Sequence, residues 1–342
     1  MPVLSVIVPV YNMEKDGALQ YCLDSLVSQT LDDMEIIAVD DKSTDGSLEI
    51  LKDYEKKYPE KVHAIFSPEN RRQGGARNLG LALAKGKYIG FLDADDWVVP
   101  DTFESMVALA EKTGADAVGI DLCRVSEQTM VPTAREICND ESVAGIFDKE
   151  KRRQFIMKTG PVVTKIYARE IFFGKPFAFP EKIAYEDNAV ALELAMRIKH
   201  YEHIPEAKYF YYQRPGSTTH HINLKGCEDR MQAMRIMLEY AEKSGALAEY
   251  HDEVEYLFAR MFYITTLLSY MQSDIKRDKA FIRGLGHEML DCFPNFRSNP
   301  YYIEKTDAEE KKWVDMQLKS TGYFVFYYDL KKMYRRLRYG KK

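Results

Sequence analysis

Three carboxylates stand almost side by side in this chain. Asp93, Asp95 and Asp96, separated only by Ala94, follow the apolar run Tyr88-Ile89-Gly90-Phe91-Leu92, which reads as a short buried strand. Clustered carboxylates repel and raise one another's pKa unless positive charge sits among them. A divalent cation held by hard oxygen ligands meets that need, and one that keeps open positions can grip a diphosphate. Asp95, with Asp93, is the candidate metal-ligating pair. Asp96 is read as solvating the strand end or capping the helix that begins near Asp101.

Other residues fit the same chemistry. The apolar run Ile36–Val39 leads into the turn cluster Asp40-Asp41-Lys42-Ser43-Thr44-Asp45-Gly46, where Asp41 stands at the strand's carboxyl end and short side chains can reach a ligand or their own backbone. For Ser43 and Asp45 an Asx-type turn with a helix cap is the competing reading. The basic, glycine-bearing stretch Asn70–Gly80 leads into a helix with Ala76, Leu79 and Leu83 inward, and a helix N-terminus with arginine nearby favours an anion. Its spacing matches neither a dinucleotide fingerprint nor a P-loop. Asp187, in Tyr185-Glu186-Asp187-Asn188, sits where a helix N-cap belongs, a role compatible with a catalytic one. The aromatic run Tyr209–Tyr212 delivers Arg214 and Ser217 on a turn, and His220-His221 follow, as a surface pair or as metal ligands.

The elements that must position these residues alternate. Val3–Val10 is apolar on both faces, as a central parallel strand is, and ends at Tyr11-Asn12. Leu19, Leu23, Leu26 and Val27 make a covering helix. Helix and strand then follow one another through Val62–Phe66 and Ala115–Leu122, which predicts a doubly wound, mostly parallel α/β sheet over residues 1–125. Ligands of such sheets lie beyond the strands' carboxyl ends, where Tyr11, Asp41 and Asp93 to Asp95 fall. Residues 126–223 are less regular. From 224 the pattern is helical, with a seam through Leu257, Met261, Ile264, Leu268 and Met271 that can close a homo-oligomer or only a domain. The segment 324–342 mixes aromatic with basic residues, a composition suited to an anionic membrane surface or to a solvated helix packed on its own domain.

Composition limits the alternatives. At 342 residues and a formal charge of −5 the chain fits two or three packed units with no expected nucleic-acid partner. No apolar run approaches the ~18 residues of a spanning helix, and no basic leader opens the chain. Five scattered cysteines without a CxxC pair predict neither a disulfide framework nor a zinc site. A cytoplasmic location, with peripheral contact at the inner face of the membrane as an option, is expected.

The stretches VLSVIVPVYN (3–12), VDDKSTDG (39–46), GARNLG (75–80), YIGFLDADDW (88–97) and Glu186-Asp187 together resemble the family 2 glycosyltransferases of the GT-A fold. The resemblance is strong over residues 1–125, fair to about 223 and absent beyond. It implies a Rossmann-like GT-A domain ahead of the helical region, with residues 126–223 on the acceptor side of the catalytic domain, a nucleotide diphosphate sugar donor, often UDP-linked, bound with Mn²⁺ or Mg²⁺, and transfer with inversion. Pro9, Tyr11 and Asp41 would hold the base, Asp93 the ribose side and Asp95 the metal in a DXD arrangement. Asp187 would be the general base. Arg77, Arg214 and Ser217 would lie toward the donor, and His220 is a further metal candidate. Lys42 stands where the family more often has glycine, and Asn188-Ala189-Val190 replaces a frequent aromatic residue.

The chemistry is consistent with this. A nucleoside diphosphate is already a good leaving group, so a metal can replace the acid that glycoside hydrolysis requires. One base must then take the proton of the attacking hydroxyl, and Asp187, kept ionised by its helix N-terminus, is expected to do so. The expected function is hexosyl transfer to a glycan or lipid-linked acceptor in surface polysaccharide or glycolipid assembly. A sugar-phosphate nucleotidyltransferase, or a non-catalytic scaffold that binds sugar nucleotides, is the alternative.

Overall fold

The structure, a computed structural model, describes residues 1–131, 134–138, 141–213 and 223–339. The chain divides into two compact units, residues 1–217 and 218–342.

The first unit is built on β1 (Leu4–Val10), buried at every position as its unbroken apolar sequence requires. β2 (Met34–Asp40) lies parallel on one side, with β3 (Val62–Phe66) beyond it, and β4 (Tyr88–Phe91) lies parallel on the other. The helices α1 (Ala18–Val27), α2 (Ser47–Lys57), α3 (Arg72–Leu83) and α4 (Thr102–Thr113) alternate with these strands. The expected doubly wound sheet is present.

The sheet continues past residue 125. After β5 (Trp97–Val98) and β6 (Ala117–Val125), the short β7 (Arg135–Glu136) and β8 (Gly145–Ile146) edge it; β9 (Lys165–Ala168) and β10 (His200–Tyr212) enter its body. The order is β3-β2-β1-β4-β9-β6-β10-β5, with β9 antiparallel to both neighbours and β10 parallel to β6. Segments 1–125 and 126–213 therefore share one sheet. The β6–β10 register slips between Ile204 and Tyr209, where Pro205 offers no N–H to the ladder. Helices α5 (Lys149–Met157), α6 (Glu170–Phe173) and α7 (Glu186–Arg197) complete this unit.

One helix face differs from expectation. On α3 Ala76 is buried as expected, together with Arg77, Gly80 and Leu81, whereas Leu79 is half-buried and Leu83 is 45% exposed. Close packing on β1 causes the rotation: a Cβ on Gly80 would stand 2.4 Å from Ile7 Cγ2. The glycines here let backbones approach rather than wrap a phosphate.

The second unit is helical: α8 (Leu224–Ser244), α9 (Ala246–Glu249), α10 (His251–Phe258), α11 (Thr266–Gln272), α12 (Lys279–Cys292), α13 (Pro300–Lys305), α14 (Ala308–Lys319) and α15 (Thr321–Tyr339). Ala259–Thr265, between α10 and α11, is π-helical. Leu257, Met261 and Leu268 of the expected seam are only half-buried, whereas Phe258, Phe262, Tyr263, Leu267 and Tyr270 are buried beside Ile264 and Met271. The wider π turn rotates the buried face by about a residue. This face packs within the unit, against α8 and α12.

Candidate active site

Two loops at the carboxyl ends of β1 and β2 are laced together. Asn12 N donates to Ser43 Oγ (3.0 Å), Thr44 N to Asn12 Oδ1 (2.8 Å), Met13 N to Ser47 Oγ (2.7 Å) and Glu14 N to Asp45 Oδ2 (3.1 Å). Asp45 also accepts from the N–H and hydroxyl of Ser47, so Asp45 and Ser43 build the turn. Lys42 adopts φ 62°, the left-handed conformation glycine takes readily. The lacing leaves Tyr11 49% exposed on the rim, with Pro9 buried in β1 opposite Val39.

Asp41 is buried beneath that rim. Its Oδ1 accepts from Arg71 N (2.8 Å), Asn70 Nδ2 donates to its carbonyl (3.0 Å), and its Oδ2 has no protein partner. Burial raises its pKa, and the backbone donors of Arg71 and Arg72 oppose the rise. The anion received at the start of α3 is thus this carboxylate. Arg71 pairs with Glu69 (3.2 Å) and Glu181 (3.7 Å).

Past β4 the chain turns tightly, Asp96 N donating to Asp93 O (3.0 Å). Asp93 and Asp95 are half-buried on this turn. Asp96 points inward: its Oδ2 accepts from the Tyr209 hydroxyl and its Oδ1 from Tyr212 N (2.8 Å). Burial, then the charges of Asp95 and Asp93, push its pKa well above the usual carboxylate range. It neither solvates the strand end nor caps α4; it ties the acidic turn to β10.

Arg77 does not present its guanidinium to solvent. It is 2% exposed, lies over Phe91 and Phe179 with ring distances of 5.9 and 5.5 Å, and donates from Nη2 to Asp93 Oδ1 (3.0 Å) and from Nη1 to Glu186. Placed this way it holds two carboxylates, not a diphosphate. Gly74, near the start of its helix, sits where a Cβ would meet Pro180 O at 2.0 Å, which seats α3 against the segment leading to α7.

Tyr185, at φ 64°, turns the chain into α7. Glu186 is the first helical residue and Asp187 the second, so Asp187 is not the N-cap; its Oδ1 accepts from Asn188 N (2.8 Å). Burial raises the pKa of both acids, with Arg77 pulling each down. Asp187 is therefore not the ordinary carboxylate expected from the sequence: burial raises its pKa, and Arg77 and the Asn188 N–H oppose the rise. Asp187 lines a cavity of about 40 Å³, with Asn188, Thr159, Gly160, Lys165 and Tyr167 on its walls, room for a water or two. Lys165 is buried, donates from Nζ to Pro161 O (3.1 Å), and is pushed down by burial to a pKa of about 7.

The structure thus brings Asp93, Arg77, Glu186 and Asp187 into one network, with Asp95 beside Asp93 and the Tyr11–Asp41 rim on the neighbouring strand ends. Arg214, Ser217 and His220 lie outside the described residues. Sequence reasoning gave no separate role to Glu186, Tyr209 or Lys165. Only Glu186 carried a local signal, adjacency to Asp187.

Residues 5–172 match the family model Glycosyl transferase family 2. Residues 5–172 thus form a glycosyl transferase family 2 domain. Among the relatives of this chain, the uncharacterized glycosyltransferase EpsJ of Bacillus subtilis (strain 168) is 33% identical over 222 residues, which cover 64% of this chain and 63% of that protein. The match thus spans less than two thirds of the relative. Among solved structures, S. aureus TarS 1-349 in complex with UDP-GlcNAc superposes with a TM-score of 0.57 at 22% identity, over 91% of this chain and 78% of that one. The mannosyltransferase PcManGT from Pyrobaculum calidifontis, in complex with GDP-Man and Mn²⁺, gives 0.51 at 17% identity, over 98% and 88%. At these identities the two likenesses establish a common fold.

Proposed function

We propose that this chain moves a hexosyl group from a nucleotide diphosphate sugar, UDP-linked in the first instance, to an acceptor hydroxyl with inversion at the anomeric carbon, in surface polysaccharide or glycolipid assembly. The observation that carries the reading is the buried Asp93–Arg77–Glu186 bridge, which makes the acidic turn after β4 and the carboxylates opening α7 parts of one rigid network. Inverting transfer needs a donor-holding end and a base held in fixed relation. The donor-bound states of TarS and PcManGT support the substrate class.

Asp41 Oδ2, buried without a protein partner, suits an N–H donor from a base, with Tyr11 and Pro9 beside it on the rim. Asp93 and Asp95 fit a hard divalent cation: both are half-buried carboxylates on one turn, and their joint negative field already helps to raise Asp96. They would hold Mn²⁺ or Mg²⁺, which when bound supplies neutralising charge to the departing diphosphate. Asp187 takes the proton of the acceptor hydroxyl as its oxygen forms the new bond to the anomeric carbon and the bond to the diphosphate breaks. Arg77 keeps Glu186 and its neighbour in place. Arg214 and Ser217 stay assigned to the diphosphate on family resemblance, and His220 stays a candidate metal ligand.

Isothermal titration of UDP and GDP, with and without Mn²⁺, on the wild type and on Asp95→Ala tests the donor site. Metal-dependent UDP binding that collapses in the variant, followed by transfer from a UDP-sugar, is expected. Metal-independent binding removes the role of Asp95, and UDP binding without transfer from any UDP-sugar points to a binding protein instead.

A further inference from the structure

Helix α15 carries two apolar faces, and among the described residues only one is covered. On the covered side Phe324 is fully buried and Trp313 of α14 meets the rings of Phe324, Tyr327 and Tyr328 at 5.9, 5.9 and 4.9 Å. Lys332 donates on that side to Gln272 O (2.7 Å) and Ser273 O (3.1 Å). On the other side Tyr323, Phe326, Leu330, Met333 and Tyr334 are 55%, 65%, 46%, 54% and 56% exposed. Steps of three, four, three and one place these five on a single stripe about 16 Å long. Exposed apolar residues gathered into a stripe, rather than scattered, mark a surface that meets something.

The charge around the stripe says what. Beyond Asp329, residues 330–342 hold seven lysines and arginines and no acid, in a chain whose formal net charge is −5. A second copy of the chain on this face would bring two strongly basic ends together, so self-association is disfavoured. An anionic lipid surface satisfies both features at once: it attracts the basic end and accepts the apolar stripe to the depth of the headgroups. Tyrosines at both ends of the stripe suit that boundary. Among the described residues no helix is long and apolar enough to cross a membrane, so the contact is peripheral. We propose that the Tyr323–Tyr334 face of α15 seats this enzyme on an anionic bilayer.

Co-sedimentation of the full chain with phosphatidylcholine vesicles, and with vesicles containing about a third phosphatidylglycerol, tests this. Binding is expected to the anionic vesicles only and to weaken with added NaCl. The triple variant Phe326→Ser/Leu330→Ser/Met333→Ser should lower partitioning by at least about tenfold, and Lys341→Glu/Lys342→Glu by a comparable factor. Thermal unfolding and UDP binding should be unchanged in the triple variant, since Phe326, Leu330 and Met333 lie on the exposed face of α15. Absence of vesicle binding, or equal binding by the variants, overturns the proposal. So does a wild-type dimer by light scattering that becomes monomeric in the triple variant without any vesicle binding, because the stripe would then be a seam between copies.

Discussion

Arg77 donates from Nη2 to Asp93 Oδ1 across 3.0 Å and from Nη1 to Glu186, so one buried guanidinium ties the end of β4 to the first turn of α7. Its two acids lie 16 and 109 residues away in sequence. Removing one partner from a buried ionic cluster strands the others, at a cost of about 3–5 kcal/mol. Arg77→Met is expected to lose that much stability in urea unfolding. Arg77→Lys should recover little of it, because a point charge cannot fork to two carboxylates. An unfolding midpoint for Arg77→Met equal to the wild type's would refute the clamp.

Asp187→Asn should keep UDP affinity while transfer falls by about 10²–10⁴. The pH dependence follows from the raised pKa values of Glu186 and Asp187. A carboxyl whose folded pKa exceeds its unfolded value binds more protons in the folded state. Its contribution therefore favours folding more as pH falls through the folded pKa toward the unfolded one. Activity runs the other way, because protonated Asp187 cannot accept a proton. kcat/KM should fall on acidification at a pH above the ordinary carboxylate range, in a window where these two groups do not weaken the fold. An acid limb at ordinary carboxylate pKa, or one unchanged in Glu186→Gln, would count against this assignment.

Tyr209→Phe removes the hydroxyl that Asp96 Oδ2 accepts from, leaving a buried oxygen without its donor. A loss of about 1–3 kcal/mol is expected. Denaturant unfolding measures it, with an unchanged m-value confirming that only stability has moved.

Lys42 holds φ 62° with a side chain that disfavours it. Lys42→Gly should relieve that strain and, after glycine's own entropic cost, stabilise the chain by roughly 0.5–1 kcal/mol. A loss of stability instead would mean that the lysine side chain contributes more than its backbone costs.

Lys165 has its folded pKa lowered by burial to about 7, below the unfolded lysine value. The unfolded state then binds more protons between those two values, so this group makes stability rise with pH across that window. Lys165→Met should be more stable than the wild type near neutrality, and thermal unfolding against pH should show the alkaline rise flattened.

The sequence by itself determined the alternation of strands and helices in the first unit and the placing of Asp41 and Asp93 at strand ends. Both are written in local periodicity: an apolar run such as Val3–Val10 can satisfy itself only inside a parallel sheet, and an acid that follows such a run must emerge at its carboxyl end. It also located Glu186-Asp187 at the head of a helix. Tertiary structure alone decided what those residues touch. Arg77 reads locally as part of a basic loop for an anion, yet buried charge must find partners wherever the fold supplies them, and its partners come from β4 and α7. Asp96 meets Tyr209 across 113 residues for the same reason. The insertion of β9 between β4 and β6, and the π stretch that rotates the buried face from Leu257 and Met261 to Phe258 and Phe262, likewise depend on long-range packing. No period of two or 3.6 residues encodes it.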